Sequence, residues 1–279
     1  MTTVSTTNSP YILGHADPEL ARLMRQAEFW KEQTAEFLRC AGLRPGMRVL
    51  DLGAGAGDVS FLAATLVGPS GSVLGVDRAP TAVERATQRA DAMGVTNVRF
   101  IQGDVATYVP NEPVDAVIGR LVLMYLPDPA ATLRQLQRYT NPNGVIAFQE
   151  FDMAAAISEP TAPTFEQGME WIRGAFRRAQ NPVRLGLQLY SLFQAAGLPA
   201  PCMHHTVRVE GGTDSPVYLY FAETVRTLSP FIQKTGMATA EEIGIETLAD
   251  RIRAEVTGQN GVILPPALIG AWARKPAVN

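Results

Sequence analysis

Three glycines at alternate positions, Gly53, Gly55 and Gly57, follow an apolar run that ends in Asp51-Leu52, and an apolar-periodic segment begins at Val59. That order reads as strand, tight glycine turn and helix, the opening of a βαβ unit. Glycine lets the backbone turn where a Cβ would clash and lets a ligand come close to the chain. The helix N-terminus behind the turn offers free N–H groups and a partial positive charge. Two readings compete for this turn. A dinucleotide fingerprint wants its third glycine one position later than Gly57, as G-x-G-x-x-G. A plain tight turn binds nothing.

Further residues that can carry chemistry stand at the ends of apolar runs. Asp77 closes the run 72–77 and suits a bidentate hydrogen bond to ribose hydroxyls. Arg78 follows it and can lie over an adenine ring. Asp104, in the run 98–105, is set to accept from an exocyclic amine, and Arg120 closes the run 114–120. For acid–base work Glu150 ends the run 144–150, with Asp152 two residues on. Glu150 serves as a base if a substrate proton lies near it, and otherwise as a surface or capping carboxylate. His204 and His205 sit on a strand-like stretch, 202–209, where alternation sends them to opposite faces. His205 is the second candidate base, and a merely satisfied histidine is the alternative. His15 is a turn or lid residue, and no His, Asp or Glu spacing matches a metal site.

Stepping outward, strand and helix patterns alternate. Helical periodicity predicts helices over 17–38, 59–67, 79–93 and 128–139 between or before the runs. Alternation of this kind means a parallel sheet with helices on both faces. Later the pattern changes: helices are predicted over 164–180, 182–196, 215–235 and 238–257, and a last strand over 268–274.

The series Val49-Leu50-Asp51-Leu52-Gly53-Ala54-Gly55-Ala56-Gly57, Gly75-Val76-Asp77, Gln102-Gly103-Asp104-Val105 and Leu121-Val122-Leu123-Met124-Tyr125-Leu126-Pro127-Asp128 resembles the class I S-adenosylmethionine (SAM)-dependent methyltransferases, in order over residues 45–152. The resemblance implies an α/β fold: a Rossmann-like, seven-stranded, mostly parallel sheet whose last strand is antiparallel, with helices on both faces. It implies three parts: an N-terminal helical lid (1–44), a SAM-binding core (45–153), and the rest of the sheet (154–279). Insertions at about 154–181 and 211–260 would cap the substrate.

It also implies a site. Gly53, Ala54 and Gly55 would contact the amino-acid end of SAM, and Asp51 would orient that end. Asp77 would hold the ribose, with Asp104, Val105 and Arg78 around the adenine. The Arg120 carbonyl would accept from the methionine ammonium beside Leu121, and the Tyr11 hydroxyl would reach the carboxylate. S-adenosylhomocysteine would be the product. The opening Tyr11-Ile12-Leu13-Gly14-His15, with the helix 22–30, also resembles actinobacterial natural-product methyltransferases. Trp30, Tyr125, Trp171 and Phe221 are the candidate substrate contacts. Their density in lid and insertions suits a flat, apolar acceptor, aromatic (indole-like) or isoprenoid, with carbon as the favoured atom. Transfer to oxygen or nitrogen, and SAM binding without methyl transfer in a cyclase or regulator, are the alternatives.

Composition bounds the rest. The 279 residues carry a formal net charge of -3, with 46% hydrophobic and 18% charged residues, and show no Lys/Arg cluster. That argues against nucleic acid and anionic membrane surfaces as partners. The stretch 1–10 lacks a signal-peptide pattern, and two cysteines make neither a disulfide framework nor a zinc site. The expectation is a cytoplasmic enzyme of a small-molecule substrate, a homodimer, with no membrane partner.

Overall fold

The computed structural model describes residues 17–277. Tyr11 and His15 lie outside the described residues. The strands are β1 (Arg48–Leu52), β2 (Ser72–Asp77), β3 (Val98–Gln102), β4 (Val114–Arg120), β5 (Thr140–Asp152), β6 (Ile157–Glu159), β7 (Cys202–Thr206), β8 (Glu210–Gly211), β9 (Val262–Leu264) and β10 (Ala267–Arg274). Seven of them form one sheet in the order β3-β2-β1-β4-β5-β10-β7. Its pairs are parallel except those of β10, which runs antiparallel to both β5 and β7. The Rossmann-like sheet expected from the sequence is the one observed.

The chain forms these strands because the central runs are apolar on both faces, as a sheet covered on both sides requires. On one face Val49, Ala116, Ile118, Val145 and Ala147 pack against the helices α2 (Lys31–Ala41) and α3 (Asp58–Val67). On the other, Leu50, Val117, Ile146 and Phe148 belong to a core shared with α5 (Pro129–Tyr139) and α7 (Leu185–Ala195). Between β2 and β3 the helix α4 (Pro80–Met93) starts on a proline and stops at Gly94 in the left-handed region.

Above the C-terminal ends of the parallel strands sit α1 (Asp17–Phe29), α6 (Pro163–Arg178), α8 (Val217–Lys234), α9 (Ala240–Ile243) and α10 (Leu248–Gly258). The single helix expected over 238–257 is two, because Gly244 adopts φ +53° and ends α9. β5 begins at Thr140, ahead of the apolar run 144–150, and the irregularity is absorbed as a register shift between Val114 and Ala116. A second sheet, β6-β9-β8, ties the two insertions together and was not anticipated. Among the described residues no helix is long and apolar enough to cross a membrane.

Candidate functional site

The strand order reverses at β1: β2 and β3 lie to one side of it, β4 and β5 to the other. Crevices outside the strand C-termini at such a switch point are where open α/β sheets bind ligands. A cavity of about 200 Å³ occupies that place. Its floor includes Gly53, Ala54 and Gly55 from the turn after β1.

Gly53 has φ +66°, and a Cβ there would meet Val122 Cγ2 at 2.6 Å. Gly55 has φ +53°, and its would-be Cβ meets nothing within 4 Å. The first glycine is required by packing. The second keeps a stretch of backbone open to the cavity. Asp77 stands beside it: Oδ2 accepts the Gly55 N–H at 2.8 Å and Oδ1 accepts the Ala79 N–H at 2.9 Å. These bonds use one lone pair on each oxygen and hold the carboxylate at the cavity wall. Arg78, Asp104, buried Val105, Arg120 and Leu121 also line the cavity. Asp104 is fixed by a bond from the Ala106 N–H to its Oδ1 at 2.9 Å. Leu121 sits at φ +56°, a left-handed conformation unfavourable for a branched side chain. Its N–H donates to the Gln149 carbonyl at 2.8 Å, which holds the chain in that bend.

Asp51 is one layer behind the lining, 1% exposed, and accepts from Ser60 Oγ at 2.5 Å. Burial pushes its pKa up to about 7, against the lowering effects of Ser60 and Arg120. Any orientation of a ligand by Asp51 is therefore exerted through the loop above it. Arg120 is drawn toward the α2 side, where Nη1 donates to Thr34 Oγ1 at 2.9 Å. Burial lowers its pKa, while Asp58 and Asp51 raise it.

Neither sequence-derived base reaches the cavity. Glu150 is fully buried, because β5 continues past it to Asp152 and sets it opposite Ile269 of β10. Its Oε1 accepts the N–H groups of Val122 (2.9 Å) and Leu123 (2.7 Å), capping the short 3-10 turn Leu123–Tyr125. Burial pushes its pKa up to about 8 although the N–H groups of Leu123, Val122 and Met124 pull it down. Glu150 is thus a capping carboxyl, the alternative reading. His205 is exposed on β7, the edge strand furthest from β1 on that side. Its neighbour His204 stacks on Phe37 at 6.4 Å.

Of the four expected substrate contacts, Tyr125 and Phe221 line the cavity and two others do not. Trp30 is completely buried and packs on Phe151, itself a lining residue, at 5.8 Å. Trp171 falls off the stripe of α6 that faces the cavity, which is Met169, Ile172 and Phe176. Residues that the sequence did not single out complete the walls. Arg22, Leu23 and Gln26 come from α1, Tyr220 and Thr224 from α8, and Pro265-Pro266 from the approach to β10. No motif marks them, and nothing in the sequence alone shows that the arginine of this helix, 3% exposed in the fold, faces a cavity. Among the described residues no group of three or more His, Cys, Asp or Glu is placed to hold a metal ion.

The arrangement can hold an adenosine-like ligand at the acidic strand ends and an apolar molecule against the helical cap. Comparisons with known proteins agree with the fold. The chain is 36% identical over 120 residues to an arsenite methyltransferase of Halobacterium salinarum, covering 43% of this chain and 31% of that protein. It is 34% identical over 124 residues to the aklanonic acid methyltransferase DauC of a Streptomyces species, covering 44% and 51%. The chain thus spans between about a third and a half of the length of these relatives. A solved structure of Haemonchus contortus phosphoethanolamine N-methyltransferase 2 in complex with S-adenosyl-L-methionine superposes with a TM-score of 0.53 at 18% identity, over 88% of this chain and 52% of that one. That likeness concerns the fold alone. Residues 43–197, more than half of the chain, match the family described as the methyltransferase domain, and the chain belongs to that family.

Proposed function

We propose that this protein is a SAM-dependent methyltransferase of a small aromatic, indole-like or isoprenoid natural product, with carbon as the methyl acceptor. The observation that carries the reading is one continuous cavity with two unlike ends. The glycine turn, Asp77 and Asp104 form one end, and Met169, Phe176 and Phe221 belong to the other. The first end fits SAM. Open space over Gly55 admits a ligand against the backbone, and the Asp77 carboxylate keeps lone pairs for ribose hydroxyls.

Bound SAM supplies an electrophilic methyl group on a sulfonium that is its own leaving group. The residues then have to align the acceptor and keep water out. Alignment of this kind contributes about 7–11 kcal/mol to barrier reduction. The apolar cap side chains exclude water, and Tyr125 and Phe221 offer ring faces and edges to a flat acceptor. The carboxylates in the lining are Asp58, Asp77 and Asp104, grouped around the glycine turn and adenosine end, and Glu150 is withdrawn into the sheet. An electron-rich ring carbon, which needs little help from a base to attack, suits that distribution. The likeness to DauC supports a natural-product acceptor. The reading includes the division into lid, core and cap given above, a homodimer, and a cytoplasmic location.

Calorimetric titration with SAM beside NADH tests the class. Micromolar SAM binding without NADH binding supports it, and absence of SAM binding overturns it. Transfer of label from methyl-labelled SAM to a panel of indoles and prenylated aromatics then tests the acceptor. Label on oxygen or nitrogen would correct the atom, and SAM binding with no transfer to any acceptor would favour a cyclase or regulator.

A further inference from the structure

Three arginines line the cavity: Arg78 beside Asp77, Arg22 of α1, and Arg120 at the end of β4. Gly119, just before Arg120, pairs with Leu52, just before Gly53. Arg120 therefore starts from the glycine turn, away from the ribose and adenine positions at Asp77 and Asp104. Arg120 is partly buried, and its guanidinium donates to the neutral hydroxyl of Thr34 at 2.9 Å. Among the described residues no carboxylate lies within ion-pair distance of it; Asp51 and Asp58 act on it from further away. A guanidinium carries five N–H donors in a fork matched to carboxylates. Burying that charge without an anion is costly.

Two further observations fall at the same corner. Gln149 pairs with Arg120 in register and is 1% exposed, and among the described residues neither of its side-chain polar atoms has a hydrogen-bond partner. Buried polar groups are rarely left so. Arg22, 3% exposed, donates through Nη1 to Gln26 Oε1 at 2.8 Å, and its charge, like that of Arg120, acts on the Tyr220 hydroxyl. Arg22, Arg120 and Tyr220 thus line one cavity, the first arginine carried by the N-terminal helix and the second by the sheet.

SAM carries a single anionic group, the carboxylate of its amino-acid end. We propose that Arg22 and Arg120 together clamp that carboxylate, so that occupancy of the site also draws α1 onto the sheet. The inference rests on the reading of the cavity as a SAM site.

Its test is the ratio of Kd for decarboxylated SAM to Kd for SAM, measured by calorimetry on the full chain. Wild type is expected to prefer SAM by about tenfold to a hundredfold, the range of charge-assisted hydrogen bonds. Arg22→Gln and Arg120→Gln are each expected to bring the ratio toward one while binding decarboxylated SAM as wild type does. Arg120→Lys, which keeps the charge and loses the fork, serves if the glutamine variant does not fold, and should also lower the ratio. Arg25→Gln, on the same helix with its side chain paired to Glu223, should keep the wild-type ratio. A wild-type ratio in Arg22→Gln and in the Arg120 variants overturns the clamp. Failure of wild type to bind either compound overturns the SAM-site reading itself.

Discussion

Asp77 Oδ2 accepts the Gly55 backbone N–H at 2.8 Å, and this bond joins the tip of β2 to the turn that follows β1. One carboxylate thus shapes the loop and presents itself to a ligand. Asp77→Ala removes both functions and leaves the Gly55 and Ala79 N–H groups to find water. SAM affinity should fall by about tenfold to a hundredfold, the effect of losing one or two charge-assisted bonds. Unchanged affinity in calorimetry would remove Asp77 from the ligand site.

Gly53 and Gly55 share the left-handed conformation and differ in what lies over them. Alanine at Gly53 would drive its Cβ to 2.6 Å from Val122 Cγ2, so strain and overpacking add. Alanine at Gly55 meets only open cavity. Gly53→Ala should lower stability by about 2–4 kcal/mol and abolish SAM binding. Gly55→Ala should cost about 1–2 kcal/mol of stability, while SAM binding falls at least tenfold because the methyl enters ligand space. Unfolding curves and titrations on both variants check the contrast; equal loss of stability would refute it.

The parallel sheet and the glycine turn were legible because each strand is a local apolar run closed by a glycine or a charged residue. The small sheet β6-β9-β8 was not, since two- and three-residue strands at 157–159, 210–211 and 262–264 carry no local signal and pair only through tertiary contact. Asp77, Asp104, Tyr125 and Phe221 reached the cavity because strand ends and cap helices do. Glu150 and Trp171 did not. A strand that runs two residues past its expected end enclosed the first, and one step of helical rotation turned the second off the lining stripe. Arg22 became visible as a site residue only when α1 was seen to roof the cavity.

Glu150 makes stability depend on pH in the opposite sense to an ordinary paired carboxylate. Burial raises its pKa from 4.5 to about 8, so between these values the folded chain holds a proton that the unfolded chain has lost. Stability contributed by this group is therefore fullest below about pH 4.5 and falls as pH rises toward 8, with a slope of up to about 1.4 kcal/mol per unit. Asp51 adds the same sign over a lower window, up to about pH 7. Glu150→Gln mimics the protonated form and keeps an oxygen for Val122 and Leu123. Its stability relative to wild type should rise steadily between pH 5 and 8 in urea unfolding. A difference independent of pH would show that Glu150 ionises normally.

The N-terminal helix is held to the cap by its aromatic end more than by its ion pair. Phe29 stacks on Tyr220 at 4.8 Å, meets Trp30 edge-on at 5.1 Å, and lies under the Arg208 guanidinium at 4.3 Å. Arg25 pairs with Glu223 at 2.6 Å but is half exposed. Truncating the ring, Phe29→Ala, should destabilise the protein by about 3–5 kcal/mol, whereas Arg25→Ala should cost under about 1 kcal/mol. Hydrogen exchange should show faster opening of α1 in the first variant alone. Equal exchange in both would assign the docking to another contact.

Gly168 makes room for a cavity-lining ring: a Cβ there would stand 2.6 Å from Phe221 Cε1. Phe221 also packs on Phe165, one turn before Gly168 on α6, with ring centroids 4.8 Å apart, so it has little freedom to yield. Gly168→Ala should cost about 1–3 kcal/mol through overpacking. The glycine turn and Asp77 belong to the opposite end of the cavity, so SAM affinity should change by less than about threefold. Phe221→Leu alone should also destabilise, by leaving a void beside Phe165. The two changes share one space, so the double variant should be more stable than the sum of the single losses allows. A double-mutant cycle in chemical denaturation reads this directly. Strict additivity would mean that the new methyl is accommodated by movement of α6, with the Phe221 ring left in its place on the cavity wall.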